Sequence, residues 1–440
     1  MSSTQAIRSA YRVLFATALV LLIYASIVPL GFEPMGFEQA WERFQLIPWL
    51  KLDIYRRSDW ISNGLVVLPV SFLLCGAIVY PVTSSLYRVL GVTCAVGFMI
   101  LVVCGIEFLQ IWFPRRTLSR NDLLAGWIGS LLGGLAWLTC GRYVTTMADI
   151  ACFSSLKSQR LSKLAMMLSL ISLFHMLLPF DFVTSLGELF RKYKSNDSWN
   201  SVALKILGLP IDWTDTLRNS IRYIPIGVWI AFVFSKRIGW FAVLVIPLFL
   251  ELIQLFIFSR NASVADAIAG GIGIQLGRCI DFDALAIKLR SMRKLTVLGL
   301  LVLYFSALVI ATCVNGQVHS LSFEQLSRRI HLFFPVPLSR YYLKSDFSAF
   351  NLLFSKTLVF VPLGFLSALF FITHKKIRSC SFHVFLLCMS LGLLVESSQL
   401  FLPPLIPDFW DVFVYAFGGL VGYHLLQTVL MEPDRPRNLA

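Results

Sequence analysis

The chain has 440 residues; 57 % are hydrophobic and 14 % are charged, against about a quarter charged in soluble domains. Its net charge is +14, yet the basic residues lie between apolar runs rather than in a block, which argues against nucleic acid and for membrane topology with anionic-lipid contact. Nine cysteines without CxxC spacing and six scattered histidines argue against a disulfide framework or metal site, and no cofactor is expected.

The apolar runs are near twenty residues long and lack alternation, so they read as membrane-spanning helices. The first covers about 13–30, ended by Pro29 and Gly31. Residues 31–60 mix Glu38, Glu42 and Arg43 with Trp41, Trp49 and Trp60, which suits the headgroup region and predicts one short interfacial helix. Spans follow at about 61–80, 90–112 and 122–140. Ser119 reads as the N-cap of the last of these, with Asp122 near its positive end and Gly126, Gly129 and Gly133 on one stripe below.

Residues 141–163 read as a linker, followed by a span at about 164–180, a long polar segment, and spans at about 219–235, 238–258 and 263–280. A second linker, 281–294, leads to spans at about 295–314, 352–373, 382–402 and 408–429, with another long polar segment ending near Phe350. The reading is all-α and polytopic, with about twelve spans in three parallel four-helix repeats. The units are 1–150, 151–290 and a divergent 291–440.

The repeat rests on linked spacing. Glu107, Gln110 and Asp122 recur as Glu251, Gln254 and Asp266, and again as Glu396, Gln399 and Asp411. Asn63 precedes Pro69 by the interval that separates Asn219 from Pro225 and Lys356 from Pro362. Arg116 and Arg260 occupy matching positions, where the third unit has Leu405. Asp408 replaces the cap serine there, and Tyr415 replaces the first glycine.

In the first unit, Asn63, Glu107, Gln110, Arg116 and Asp122 are expected to converge at one end of adjacent helices, with Glu107 pairing Arg116 and Asp122 orienting the arginine. Glu251, Arg260 and Asp266 should repeat this, whereas the third unit should lack the Glu–Arg pair. Three roles fit these residue types. They can form a buried network that fixes helix packing. Arg116 and Arg260, with Asn63, Gln110, Asn219 and Gln254, can hold an anionic headgroup or glycan. Glu107, Asp122, Glu251 or Asp266 can move a proton. An acidic cation site at Glu396, Asp408 and Asp411 is a further possibility.

These features, from Asn63–Pro69 through Glu107–Gly133 and their two later counterparts, resemble the VanZ-like family of bacterial membrane proteins. The resemblance covers nearly the whole chain as three copies of a usually single unit, and it implies an integral protein of the cell envelope. The resemblance also implies the bacterial cytoplasmic membrane, and short basic loops such as Lys236-Arg237 predict both termini inside and the clusters facing outward. The functional expectation is binding or handling of an anionic lipid or lipid-linked glycan. Lipid modification, transport and a structural role with envelope protein partners are the alternatives.

Overall fold

A computed structural model describes residues 3–82, 84–114, 118–194, 213–314, 322–341, 346–372 and 380–432. The chain is all-α. Among the described residues there is no strand, only an isolated antiparallel bridge between Phe182 and Ile257. The helices are α1 (Ser3–Ile27), α2 (Phe37–Gln45), α3 (Ile54–Val79), α4 (Ser85–Leu109), α5 (Arg120–Phe153), α6 (Lys157–Leu177), α7 (Leu186–Lys194) and α8 (Trp213–Val233). They continue with α9 (Lys236–Gln254), α10 (Val264–Arg278), α11 (Phe282–Ser291), α12 (Lys294–Cys313), α13 (Phe323–Phe333), α14 (Asp346–Ile372), α15 (Ser381–Gln399) and α16 (Asp411–Val429).

Among the described residues, ten helices are long and apolar enough to cross a membrane, and the chain is a multi-pass membrane protein. The two expected spans that fall outside this set are both in the middle of the chain. The stretch 263–280 forms α10, whose 15 residues give about 22 Å, short of a full bilayer crossing. The stretch 219–235 lies in α8, whose first half carries Arg218, Asn219, Ser220 and Arg222.

Both expected linkers prove largely helical. Residues 141–153 continue α5, and only 154–156 separate it from α6. The second linker holds α11, whose N-cap Asp281 accepts from the backbone N–H groups of Asp283 and Ala284. The interfacial helix expected in 31–60 is α2, and the two long polar segments contain counterparts, α7 and α13. All three have charged residues on one face and apolar ones on the other.

Three helix pairs pack most closely: α3 with α5, α8 with α10, and α14 with α16. The glycine stripes explain the approach. A Cβ on Gly129, Gly273 or Gly418 would collide with the carbonyl of Gly64, Ser220 or Thr357 respectively. Gly133, Gly277 and Gly422 meet the carbonyls of Leu68, Ile224 and Val361 in the same way. Helix backbones in lipid come this close only where the side chain is absent. The apolar cores lie below these crossings, around Cys75 and Met99, around Ile226 and Ile274, and around Leu363 and Leu426.

Candidate functional site

The first halves of α3, α8 and α14 each bring a polar side chain onto an aspartate in the first turn of α5, α10 and α16 respectively. Asn63 Nδ2 donates to Asp122 Oδ1 at 2.7 Å, and Asn219 Nδ2 donates to Asp266 Oδ1 at 2.5 Å. In the last pair, Lys356 Nζ forms an ion pair with Asp411, and the hydroxyl of Tyr341 donates to the same carboxylate.

The first two aspartates are held by the caps of their own helices. Ser119 is the N-cap of α5, and its Oγ accepts from the Asp122 backbone N–H and donates to Asp122 Oδ2 at 2.6 Å. Ser263 caps α10 and accepts from the Asp266 N–H. The cap serine anticipated from sequence is therefore present, and its Asp sits where the helix dipole favours negative charge.

The glutamates approach from the ends of α4, α9 and α15. Glu251 Oε2 accepts from the backbone N–H of Ser263 at 2.9 Å, so it fixes the residue that caps α10. Glu396 Oε2 accepts from the backbone N–H of Asp408 at 2.8 Å. Its other oxygen accepts from the Tyr415 hydroxyl, also at 2.8 Å. Glu107 is buried at 8 % exposure near the end of α4. Glu251 and Glu396 therefore tie one helix end to the start of the next.

The glutamines and arginines act differently from expectation. Gln110 Nε2 donates to the Ser26 carbonyl of α1 at 3.0 Å, away from the aspartate. Gln254 and Gln399 enter through their backbone carbonyls, not their amides. Arg116, with Arg115, lies outside the described residues. Arg260 does not hydrogen-bond Glu251. Its Nε and Nη2 donate instead to the carbonyls of Leu178 and His175, at 2.7 and 3.2 Å. The last carbonyls of α6, which have no following helical turn to donate to them, offer acceptors where the helix dipole favours a cation, and the arginine goes there. Burial pulls the Arg260 guanidinium down from its ordinary pKa, and the charges of Asp181 and Glu251 pull it back.

The third cluster is rebuilt by residues that no local motif announces. Among the described residues no arginine pairs with Glu396, in keeping with Leu405, but Arg340 lies 4.0 Å from Asp408 and donates to the Pro407 carbonyl. Burial raises the Asp408 pKa, with the Asp411 charge adding and Arg340 opposing. Glu396, Asp408 and Asp411 are thus joined to Lys356, Arg340 and two tyrosines, not arranged as an acidic cation cage. Tyr415 stacks on Phe360 with centroids 4.3 Å apart.

Two cations missed by motif reading close the ends of the glutamate helices. Lys192 on α7 donates to the carbonyls of Gln254, Leu255 and Ile257 at 3.0, 2.9 and 2.6 Å. Arg329 on α13 donates to those of Leu400, Gln399 and Leu405 at 2.5–2.6 Å. Each is the seventh residue of its short helix, so the signal was amphipathic period plus position within what reads overall as a long polar segment. Burial brings the Lys192 ammonium down to about 8, against the opposing charge of Asp181. Asp181 was also unanticipated. It is buried and accepts from the backbone N–H and hydroxyl of Ser259, both at 3.1 Å.

A VanZ/LLP1 family model matches residues 295–430, which span α12–α16. No curated protein and no solved structure matches the chain. The matched region is the one with the most substitutions relative to the first two clusters, so Lys356, Leu405, Asp408 and Tyr415 are compatible with a VanZ-like unit.

Proposed function

We propose that the chain is three tandem VanZ-like units, 1–150, 151–290 and 291–440, each a four-helix group in the same orientation. On this reading α8 and α10 complete the twelve, their polar or short character masked by their close pairing. The recurrence of the Asn/Lys–Asp contact, the glutamate tie in the second and third units and the glycine crossing support it. The protein is a bacterial cytoplasmic-membrane component with both termini inside. Its like-facing ends handle an anionic lipid or lipid-linked glycan on the outer side.

One observation carries the lipid reading. Each polar cluster is flanked by a short amphipathic helix that leaves large apolar side chains in the open beside a cation. Phe37 and Trp41 accompany Arg43 on α2, Leu186 and Phe190 accompany Arg191 on α7, and Phe323 and Ile330 accompany Arg328 on α13. Apolar side chains with adjacent cations suit the boundary between acyl chains and headgroups. The carboxylates and Arg260 serve as the internal frame that sets these helices, because their partners are within the protein. Arg43, Arg191 and Arg328 meet the anion, Arg328 exchanging its exposed ion pair with Glu324, at 2.6 Å, for the ligand.

Purification in native lipid followed by mass spectrometry tests this reading. Replacing all three arginines by alanine is expected to remove a specific anionic lipid while the fold persists. Identical retained lipids in both proteins would count against it, and turnover of that lipid in a separate assay would move the assignment to an enzyme.

The two glutamates bonded to the next loop also favour a second reading, in which the clusters are packing devices within an envelope assembly. An intact fold with neither lipid selectivity nor turnover is its expected result.

A further inference from the structure

A cavity of about 430 Å³ opens at the other end of the first four-helix group, where α3 turns into α4 beside α5. Tyr80, Arg88, Trp137, Thr139, Arg142 and Thr146 line it. Trp137 is buried and forms its apolar floor, packed edge-on against Tyr11 and Phe72. Arg88 is half-buried and Arg142 exposed, so the two guanidinium groups stand at different depths of one recess. Arg88 Nε is buried and has no hydrogen-bond partner among the described residues. A guanidinium nitrogen held out of water without an acceptor is costly, and an incoming anion would satisfy it.

The surroundings reinforce the charge. No Asp or Glu occurs in 1–32, 60–106 or 123–148, and the nearest acid along α5 is the exposed Asp149, one turn past Thr146. Arg8 adds a further cation, reaching the Ala77 carbonyl near the end of α3. The cavity between α6, α8, α10 and α11 differs on this point, because its Lys157 is already paired with Asp283 at 2.7 Å. The Thr139 and Thr146 hydroxyls donate back to their own helix, at 2.9 Å each, so the arginines are the charged donors facing a ligand.

We propose that this recess is a binding site for a phosphate-type anion, held by Arg88 and Arg142. Arginine forks match the paired oxygens of phosphate. The Trp and Tyr rings and the position at a helix turn suit the edge of a bilayer. The phosphate comes from a lipid headgroup or from a soluble phosphate. The site lies at the opposite end from the amphipathic helices and does not depend on their role.

The test uses the full chain in two arms. In detergent, inorganic phosphate is titrated against chloride at matched ionic strength while thermal unfolding is followed. In phosphatidylcholine nanodiscs doped with phosphatidylglycerol, retained lipid is counted by native mass spectrometry. Wild type is expected to retain phosphatidylglycerol if the source is a headgroup, or to be stabilised by phosphate alone if the source is soluble. R88Q/R142Q should weaken the effect by about tenfold or more, as loss of charge-assisted hydrogen bonds implies. T146F, which fills the recess and keeps both charges, should do the same and carries the test if the double variant does not fold. Replacement of Arg43, Arg191 and Arg328 should leave this site unchanged, which separates the two readings. Wild type responding in neither arm, or folded variants responding like wild type, would overturn the proposal.

Discussion

The second and third polar clusters solve one architectural problem with different charges. In the second, a neutral Asn219 meets Asp266, a neutral Ser263 caps the helix, and Arg260 turns away to the end of α6. In the third, Lys356 meets Asp411, Asp408 stands in place of the serine, and Arg340 arrives from the segment after α13. The additional carboxylate Asp408 is accompanied by Lys356 and Arg340, whereas the cation of the second cluster, Arg222, joins it by donating to Asn219 Oδ1 at 3.0 Å; Tyr341 and Tyr415 supply donors to the third cluster as well. In a low-dielectric setting a charge change at one position must be answered nearby, although not from the same place in the motif. The position of the contact is retained, and its chemistry is exchanged.

The largest effect should come from breaking the third cluster's charge balance. Lys356→Met leaves the buried Asp411 without its cation and is expected to cost about 3 kcal/mol or more of stability. Asn219→Ala, which removes a hydrogen bond to a carboxylate, should cost about 1.5–3 kcal/mol. Chemical denaturation in mixed micelles measures both. The pair Lys356→Asn and Asp408→Ser, which copies the second cluster, should cost clearly less than the sum of its single changes. A strictly additive result would mean that the two charges are not coupled.

Next in size are the helix crossings. Gly273→Ala and Gly418→Ala force a methyl group onto a carbonyl and should each cost about 1–3 kcal/mol, read as a lower thermal midpoint. Similar losses would support equivalent crossings in the two regions.

The cations over the glutamate helices offer a pH comparison. The Lys192 ammonium is brought down to about 8 in the folded protein from its ordinary 10.5. Between those values the unfolded chain holds a proton that the folded chain has released, so this contribution makes stability rise with pH across that interval. Lys192→Arg should flatten that rise, because an arginine keeps its charge there. Urea midpoints taken at intervals between pH 8 and 10 provide the check, and an unchanged slope would exclude Lys192 as its source.

The smallest change belongs to a glycine outside the crossings. Gly97 on α4 has nothing within reach of an added Cβ. Gly97→Ala should therefore stabilise by about 0.5–1 kcal/mol, through helix propensity alone. A loss as large as that of Gly273→Ala would show that the crossing contacts are not what distinguishes the two positions.

Much of this was legible in the chain itself. Apolar runs located the ten long helices, the Ser–Asp spacing located the caps of α5 and α10, and the glycine offsets located the crossings. These signals are local: helix period, N-cap hydrogen bonds and side-chain size act within a few residues of one another. α8 and α10 stand apart from the ten long apolar helices because a hydropathy reading registers an apolar stretch without regard to the arginines in the first half of α8 or the 15-residue length of α10. The helices within 141–163 and 281–294 were under-read because their charged residues resembled loop composition. α11 nevertheless had a capping signal at Asp281.

What only the tertiary structure decided was which partner each charge takes. Arg260 reads from spacing as the mate of Glu251, yet the end of α6 presents carbonyls that accept it. Arg340 and Lys192 lie in segments with no shared motif, and folding brings them against Asp408 and the end of α9. Charge pairing depends on distance through space and on what remains unsatisfied after the helices pack. The chain determined where the polar groups would be buried, and the packed helices determined how they would be satisfied.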